Sequence, residues 1–171
     1  MDKNKVVFLD RDGTINKDYG YVHSIDKLEF LDYAIEGLKK ISDLGYKLVI
    51  VTNQSGIGRK YFSEEEYLKF NNIFLNRLSE KGINIEKVYY CPHIDEDNCN
   101  CRKPKTGMFH QAIKELNIDT DKSFAIGDSI RDLSICEETN VKGILLNNNS
   151  SKYKNCDNLL EAANYILSIN C

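Results

Sequence analysis

Short runs of apolar residues recur along the chain at spacings that leave room for helices between them. These runs cover 5–10, 46–52, 87–91, 123–128 and 143–146. Their apolar residues are mostly continuous rather than alternating, which is typical of strands buried on both faces of a parallel sheet. We therefore predict five strands, and the first, second and fourth of them end in polar side chains.

Apolar residues spaced three and four apart predict five helices that alternate with these strands. They cover 34–41, the stretch from Ser63 to just before Gly82, 109–116, the segment after Asp128, and 158–169. Strand–helix alternation at this spacing favours right-handed crossovers. The predicted fold is α/β, a doubly wound parallel sheet with helices on both faces, and it forms a single domain over residues 1–171.

Composition narrows the class of protein. The 171 residues are 42% hydrophobic and 29% charged, as expected of an ordinary soluble domain. With 23 Lys and Arg against 26 Asp and Glu, the formal charge is −3, which disfavours a strongly basic nucleic-acid binder. No apolar run approaches the roughly 18 residues of a membrane span, and the N-terminal residues lack a signal-peptide pattern. We expect a monomeric cytoplasmic protein with no nucleic-acid or membrane partner.

Polar residues at the strand ends are the first candidates for chemistry. Ligands of open parallel sheets bind beyond the carboxyl ends of the strands, where the strand order reverses. Asp10 and Asp12 lie at one such end, Thr52 and Asn53 at a second, and Asp128 at a third. Alternation along an extended segment puts Asp10 and Asp12 on the same side, where two carboxylates share a proton or hold a cation.

The acidic residues at these ends suit a magnesium ion. Asp128 can complete an oxygen-rich site with Asp10, and Asp132, one turn into the next helix, is expected to orient or cap. The stretch from Thr52 to Gly56 offers neutral donors for phosphate oxygens. Taken alone, Asp-x-Asp-Gly also fits a plain turn or a fragment of a Ca²⁺ loop, although the later ligands of an EF-hand are missing.

Three of the six cysteines lie close together in the sequence, beside a histidine. Cys91, His93, Cys99 and Cys101 form a Cys₃His set, which is typical of a structural zinc site. Such a loop, 91–101, leaves no open coordination position for a substrate. It immediately precedes two cations that we expect it to aim at the sheet edge, Arg102 and Lys103.

These motifs together resemble the haloacid-dehalogenase (HAD) phosphatase superfamily. The resemblance rests on Asp10-Arg-Asp-Gly-Thr14, then Thr52, Lys103 and Gly127-Asp-Ser-Ile-Arg-Asp132, in the order typical of that superfamily. It implies that Asp10 is the nucleophile that forms an aspartyl-phosphate and that Asp12 is the general acid and base.

The same resemblance implies the metal ligands and the phosphate contacts. Mg²⁺ would be held by Asp10, the carbonyl of Asp12 and Asp128. Thr52 and Lys103 would hold the oxygens of the transferred phosphoryl group.

A closer resemblance covers nearly the whole chain. Phe8–Asn16, Asp18–Val22, Thr52–Ile57, Tyr89–His93 and Cys101–Pro104 are similar to the D-glycero-D-manno-heptose 1,7-bisphosphate 7-phosphatases, a family that also includes histidinol-phosphate phosphatases. This likeness implies a small phosphorylated sugar as the substrate. The implied substrate contacts are Asp18, Tyr19, Gly20, Tyr21, Thr52, Asn53, Gln54, Ser55, Arg102 and Lys103, of which Arg102 would hold the second phosphate.

The resemblance also implies a HAD-like Rossmannoid fold, and in this chain the gaps 14–31 and 83–106 are too short for a cap domain. Loops must therefore select the substrate. Two features depart from many family members: Ser129 replaces a Lys that would contact phosphate, and the loop between His93 and Cys99 is shorter.

Three other functions are compatible with the same motifs. Histidinol-phosphate phosphatase activity would use the same catalytic residues. A nucleic-acid 3′-phosphatase is a more distant alternative, because an open site admits polymers while the acidic composition opposes them. A zinc-stabilised scaffold without activity is the non-enzyme alternative.

Overall fold

A computed structural model of the chain describes residues 2–170. The strands are β1 (Val6–Leu9), β2 (Lys47–Asn53), β3 (Ile85–Cys91), β4 (Phe124–Gly127), β5 (Lys142–Leu146) and β6 (Lys154–Cys156). The α-helices are α1 (Ala34–Asp43), α2 (Glu64–Glu80), α3 (Gly107–Glu115) and α4 (Leu159–Ile169). Short 3₁₀ helices cover Ile25–Lys27, Asp95–Asp97, Thr120–Lys122 and Ile130–Glu137.

The strands form one sheet in the order β3-β2-β1-β4-β5-β6, and every neighbouring pair is parallel. The chain first builds β2 and β3 on one side of β1, then crosses to β4 on the other side. The strand order therefore reverses between β1 and β4, where ligands of such sheets bind. The amide of Asp10 donates to the carbonyl of Ile126 at 3.2 Å, so the two strands stay in register to their ends.

Both faces of the sheet are covered, as the continuous apolar runs predict. Val7 and Leu9 of β1 belong to the core that contains buried residues of α1, α2 and α4. Val6 and Phe8 belong to the opposite core, which contains residues of α3 and of the 3₁₀ helix Ile130–Glu137. The predicted doubly wound α/β fold is confirmed.

Two elements differ from the sequence prediction. The edge strand β6 was not predicted, because Cys156 is its one buried residue and no apolar run marks it. The predicted helix after Asp128 is present as the 3₁₀ helix Ile130–Glu137. In its first turn the Asp132 carboxylate accepts from the amide of Ser129 at 3.0 Å, which is the capping role predicted for Asp132.

In the described part of the chain, the connections between strands and helices contain no cap domain. A single turn of 3₁₀ helix, Ile25–Lys27, lies between β1 and α1, and another, Asp95–Asp97, lies between β3 and α3. Within residues 2–170, every helix is too short or too polar to span a lipid bilayer.

Candidate active site

A cleft of about 350 Å³ opens at the carboxyl edge of the sheet, above β1, β2 and β4. Loops that are distant in sequence contribute its walls. Of the residues expected at the site, the cleft brings together Asp10, Asp12, Asp18, Gly20, Tyr21, Asn53, Gln54, Ser55, Arg102, Lys103 and Asp128. Asp132, expected to orient or cap, also lines it.

Three carboxylates converge at the floor of the cleft. Asp10, Asp128 and Asp132 each place an oxygen within 4.8 Å of the others. Burial, followed by the charge of Asp132, raises the pKa of Asp10 to about 8 and that of Asp128 to about 6. A hard divalent cation would relieve this repulsion, and oxygen ligands are the ones that Mg²⁺ prefers. The donor set therefore fits magnesium, and the Asp12 carboxylate lies outside this cluster.

Two glycines permit the carboxylates to approach so closely. Gly13 has a φ of +82°, and a Cβ at that position would lie 2.2 Å from Oδ2 of Asp128. A Cβ on Gly127 would lie 2.3 Å from Cβ of Asp132. Any side chain at either position would displace an acidic group of the cluster, so the glycines are part of the site's geometry.

Lys103 is the buried counter-charge of the cluster, with a side chain that is 2% exposed. Its Nζ donates to Asp10 at 3.1 Å, to Asp132 at 2.7 Å and to the carbonyl of Val51 at 2.6 Å. Burial alone would lower the pKa of Lys103, but the charges of Asp10 and Asp132 outweigh burial and raise it. Asn53 fixes the backbone of Lys103, accepting from its amide at 3.0 Å and donating to its carbonyl at 3.1 Å.

Asp12 is held by three donors rather than by the other carboxylates. Arg11 donates to both of its oxygens, with Nη2 distances of 3.0 and 2.9 Å. Asn16 donates to Oδ1 at 2.9 Å, and Gln54 donates to Oδ2 at 3.2 Å. Arg11 itself is fully buried, with its guanidinium 4.9 Å from the ring of Phe70. Sequence analysis missed this role of Arg11, although its position between two aspartates could have indicated it.

Two residues expected at the site do not line the cleft. The Thr52 hydroxyl is buried and accepts from the Gln54 amide at 3.0 Å, the same amide that donates to Asp12. The Tyr19 hydroxyl bonds to Glu29 at the surface. In turn, Arg59 and Arg131 line the cleft although sequence analysis did not single them out. No pattern distinguishes these two arginines from ordinary surface charges.

The four ligands expected for zinc lie together beside the cleft. Ligand atoms of Cys91, His93, Cys99 and Cys101 are all within 4.8 Å of one another. Nδ1 of His93 is 3.4 Å from the sulfur of Cys91 and 3.3 Å from that of Cys101. The sulfur of Cys91 is 3.7 Å from that of Cys99 and 3.0 Å from that of Cys101. Zinc bonds of ideal length put a nitrogen and a sulfur of a tetrahedral site about 3.5 Å apart and two sulfurs about 3.7 Å apart. The two distances from His93 and the one between Cys91 and Cys99 are close to these values, whereas the one between Cys91 and Cys101 is shorter. The three thiols and the imidazole are the donor types that a tetrahedral zinc ion takes.

Comparison with known proteins shows the family to which the chain belongs. A family model described as polynucleotide kinase 3 phosphatase matches residues 5–167. The D-glycero-beta-D-manno-heptose-1,7-bisphosphate 7-phosphatase of Pasteurella multocida is 47% identical over 148 residues, 83% of this chain and 80% of that protein. The enzyme of the same name from Haemophilus influenzae is 50% identical over 136 residues, 76% of this chain and 74% of that protein.

A solved structure shares the whole fold. The crystal structure of D,D-heptose 1.7-bisphosphate phosphatase from B. bronchiseptica, complexed with magnesium and phosphate, matches with a TM-score of 0.87. It is 25% identical in sequence, and the match covers 96% of this chain and 99% of that one. From its sequence, its fold and its relatives, the chain belongs to the polynucleotide kinase 3 phosphatase family of HAD phosphatases, among the D-glycero-D-manno-heptose-1,7-bisphosphate 7-phosphatases.

Proposed function

We propose that the chain hydrolyses phosphate monoesters through Asp10 and removes the 7-phosphate of D-glycero-D-manno-heptose 1,7-bisphosphate. The convergence of Asp10, Asp128 and Lys103 at the floor of one cleft is the observation that carries this proposal. The names of the relatives support the substrate. Hydrolysis of phosphate monoesters is very slow without a catalyst, so the site must supply a nucleophile, a proton donor and charge stabilisation together.

In the first step, a carboxylate oxygen of Asp10 attacks phosphorus and the bond from phosphorus to the sugar oxygen breaks. Asp12, protonated for this step, gives its proton to that leaving oxygen and is left as the carboxylate that pairs with Arg11. The bonds from Arg11, Asn16 and Gln54 fix the direction of the Asp12 carboxyl group. The product of this step is an aspartyl-phosphate on Asp10 and a free sugar hydroxyl.

In the second step, water attacks the phosphorus of the aspartyl-phosphate, and Asp12 takes the proton from that water. The bond between phosphorus and Asp10 breaks, which releases inorganic phosphate and restores the carboxylate. Lys103 holds a positive charge next to Asp10 throughout, where it stabilises the negative charge of the phosphoryl oxygens. Thr52 would act indirectly, through its contact with Gln54.

Magnesium is the cofactor that the acidic cluster supports. Asp10 and Asp128 would hold the ion together with the carbonyl of Asp12, and Asp132 lies near enough to orient them. Bound there, Mg²⁺ offsets the repulsion between an anionic nucleophile and an anionic phosphate. The magnesium in the crystal structure of the B. bronchiseptica relative supports this assignment.

The outer part of the cleft suits the rest of a sugar bisphosphate. Asp18, Gly20 and Tyr21 line one part of the cleft, where their polar groups can contact sugar hydroxyls. Arg102 lines the same cleft and can hold a second phosphate through its planar guanidinium.

A structural zinc ion is the second metal that we propose, held by Cys91, His93, Cys99 and Cys101. All four positions of a tetrahedral ion would then be filled by protein, which suits a structural role. Because the last ligand directly precedes Arg102 and Lys103, the ion would fix the segment that carries both cations.

A nucleic-acid 3′-phosphatase is the second candidate, because the matching family model carries that description. The net charge of −3 opposes binding to a polyanion such as a nucleic acid. Histidinol phosphate is a third substrate class, since it would need the same catalytic residues. We also propose that the chain is one domain that acts as a monomer in the cytoplasm, where a reducing environment preserves free thiolates for a metal.

A panel of substrates tests the proposed function. Phosphate release is measured with both anomers of heptose 1,7-bisphosphate, fructose 1,6-bisphosphate, histidinol phosphate and a 3′-phosphorylated oligonucleotide, with and without Mg²⁺. We expect the highest kcat/KM for a heptose bisphosphate and no release without Mg²⁺. A higher kcat/KM for histidinol phosphate or for the oligonucleotide would overturn the substrate assignment.

A further inference from the structure

The Arg102 guanidinium is anchored at one edge. Its Nε donates to the carboxylate of Asp95 at 2.6 Å, and its side chain is 14% exposed. Among residues 2–170, neither of its two Nη groups has a protein acceptor within hydrogen-bonding distance. An arginine held through Nε alone keeps its Nη groups free, and these can bind a phosphate with two parallel hydrogen bonds.

Both partners of this ion pair lie on or directly after the cysteine-rich loop 91–101. Asp95 opens the 3₁₀ turn Asp95–Asp97, which is fixed where the amide of Ile94 donates to Asp97 at 3.0 Å. The amide of Arg102 donates to the sulfur of Cys99 at 3.4 Å. The backbone of each partner is therefore tied down, so their bond fixes the arginine side chain relative to the cleft.

Two other guanidiniums lie near this ion pair, since the charges of Arg59 and Arg131 add to that of Arg102 in lowering the pKa of Asp95. Arg59 lies in the turn after β2 and Arg131 in the 3₁₀ helix Ile130–Glu137, and both line the cleft and are exposed. Neither forms an ion pair with a carboxylate of the described chain. Lys103 is matched with Asp10 and Asp132, and Arg102 is matched with Asp95, so Arg59 and Arg131 are the two cleft arginines whose charge is left to attract a second anionic group.

We propose that Asp95 is a positioning residue that holds Arg102 with its Nη groups free for the distal phosphate of a sugar bisphosphate. The proposal rests on the proposed function, because it assumes a substrate with two phosphates. Asp95 touches neither the acidic cluster nor any reacting atom, so it sets which substrates bind and leaves the chemical step unchanged.

Orientation and charge predict opposite effects when Asp95 is removed. Losing the carboxylate frees the arginine side chain, which weakens phosphate binding. Losing its negative charge makes the cleft more positive, which strengthens phosphate binding. The Asp95 side chain is 75% exposed, so water and salt screen its charge strongly, and we expect the loss of orientation to dominate.

The test compares Asp95→Ala, Asp95→Asn and the control Glu96→Ala, which removes the neighbouring exposed acid of the same turn. KM and kcat are measured with heptose 1,7-bisphosphate and with p-nitrophenyl phosphate, which has no second phosphate. Zinc content and thermal melting of each variant report whether the loop is intact.

For Asp95→Ala we expect a KM for the bisphosphate about tenfold higher, the size expected for one weakened charge-assisted hydrogen bond, with kcat within about twofold. Asp95→Asn keeps an acceptor for Nε and should restore most of the wild-type KM. Glu96→Ala should match the wild type, and kcat/KM for p-nitrophenyl phosphate should stay constant throughout.

An unchanged or lower KM in Asp95→Ala would overturn the inference, because charge would then outweigh orientation. Equal losses for both substrates, or loss of zinc, would also overturn it by assigning Asp95 to the fold. If the wild-type enzyme does not favour the bisphosphate over p-nitrophenyl phosphate, the proposed function fails and the inference falls with it. If the wild type favours the bisphosphate and the ratio of the two kcat/KM values is the same in Asp95→Ala as in the wild type, the inference alone fails.

Discussion

Replacing Asp12 with alanine should destabilise the protein more than replacing its partner Arg11 with methionine. The two side chains form one ion pair, but their surroundings differ. The Arg11 side chain is 1% exposed, whereas the Asp12 side chain is 18% exposed and lines the cleft. Removing Asp12 leaves a buried guanidinium with the carbonyl of Val22 as its remaining acceptor, at 2.7 Å. Removing Arg11 leaves a carboxylate that still accepts from Asn16 and Gln54 and can reach water.

The size of the difference follows from burial. An unpaired buried charge costs roughly 3–5 kcal/mol, which we assign to Asp12→Ala. For Arg11→Met we expect about 1–3 kcal/mol, because it removes hydrogen bonds while the new apolar side chain packs against Phe70. The loss of unfolding free energy in the double variant should be smaller than the sum of the two single losses by about 1–3 kcal/mol. The reason is that the second change removes the charge that the first one left unpaired.

Urea unfolding at pH 7.5 measures these differences as changes in the free energy of unfolding. The control is Asp18→Ala, an exposed aspartate of the cleft whose carboxylate, among the described residues, accepts a hydrogen bond only from the nearby amide of Gly20. It should change the free energy of unfolding by less than about 0.5 kcal/mol. A double variant whose cost equals the sum of the single variants, or an Arg11→Met that costs more than Asp12→Ala, would refute the reasoning.

Three further predictions concern the metals and the glycine turn. In the unfolded chain, Asp10 and Asp128 lose their protons at about pH 4. In the folded chain without metal, their raised pKa values keep Asp128 protonated up to about pH 6 and Asp10 up to about pH 8. Stability of the metal-free protein should therefore fall as pH rises from about 4 through 8, and Mg²⁺ should raise Tm more at pH 8 than at pH 5.5 in thermal melts. Cys99→Ser should remove one zinc ion per chain by elemental analysis and lower Tm, whereas Cys136→Ser should leave the zinc content unchanged. Gly13→Ala should lower stability by about 1–2 kcal/mol and weaken Mg²⁺ binding in a calorimetric titration, because its new Cβ meets Asp128; normal Mg²⁺ affinity would contradict the geometry.

The fold could be predicted because the central strands are continuous apolar runs. β1, β2 and β4 are buried along nearly their whole length, and the polar residues that follow them mark one edge of the sheet. β6 could not be predicted because an edge strand with one buried residue has no such pattern. The type of the helix after Asp128 also escaped prediction, since apolar periodicity does not distinguish a 3₁₀ helix from a short α-helix.

The sequence was sufficient to predict which strand ends meet at the site, but it was not sufficient to predict the individual side-chain contacts there. That Asp10 and Asp128 meet follows from the strand order, and motif order alone indicated it. The Thr52 side chain is buried and does not line the cleft, and this depends on packing with residues distant in sequence, which a local motif does not reveal. The positions of Arg59 and Arg131 depend on how the turn after β2 and the 3₁₀ helix Ile130–Glu137 lie around the cleft, and exposed arginines occur on any protein surface.

The measurement that tests the central claim most directly is detection of the phosphoryl group on Asp10. The enzyme is mixed with heptose 1,7-bisphosphate and Mg²⁺, quenched in acid, and analysed by mass spectrometry of its peptides. We predict a mass increase of one phosphoryl group on the peptide that contains Asp10. We also predict that Asp10→Asn keeps its fold, lacks the adduct and releases phosphate at least about 10³-fold more slowly. An adduct on another residue, or an Asp10→Asn variant that releases phosphate at the wild-type rate, would contradict the account.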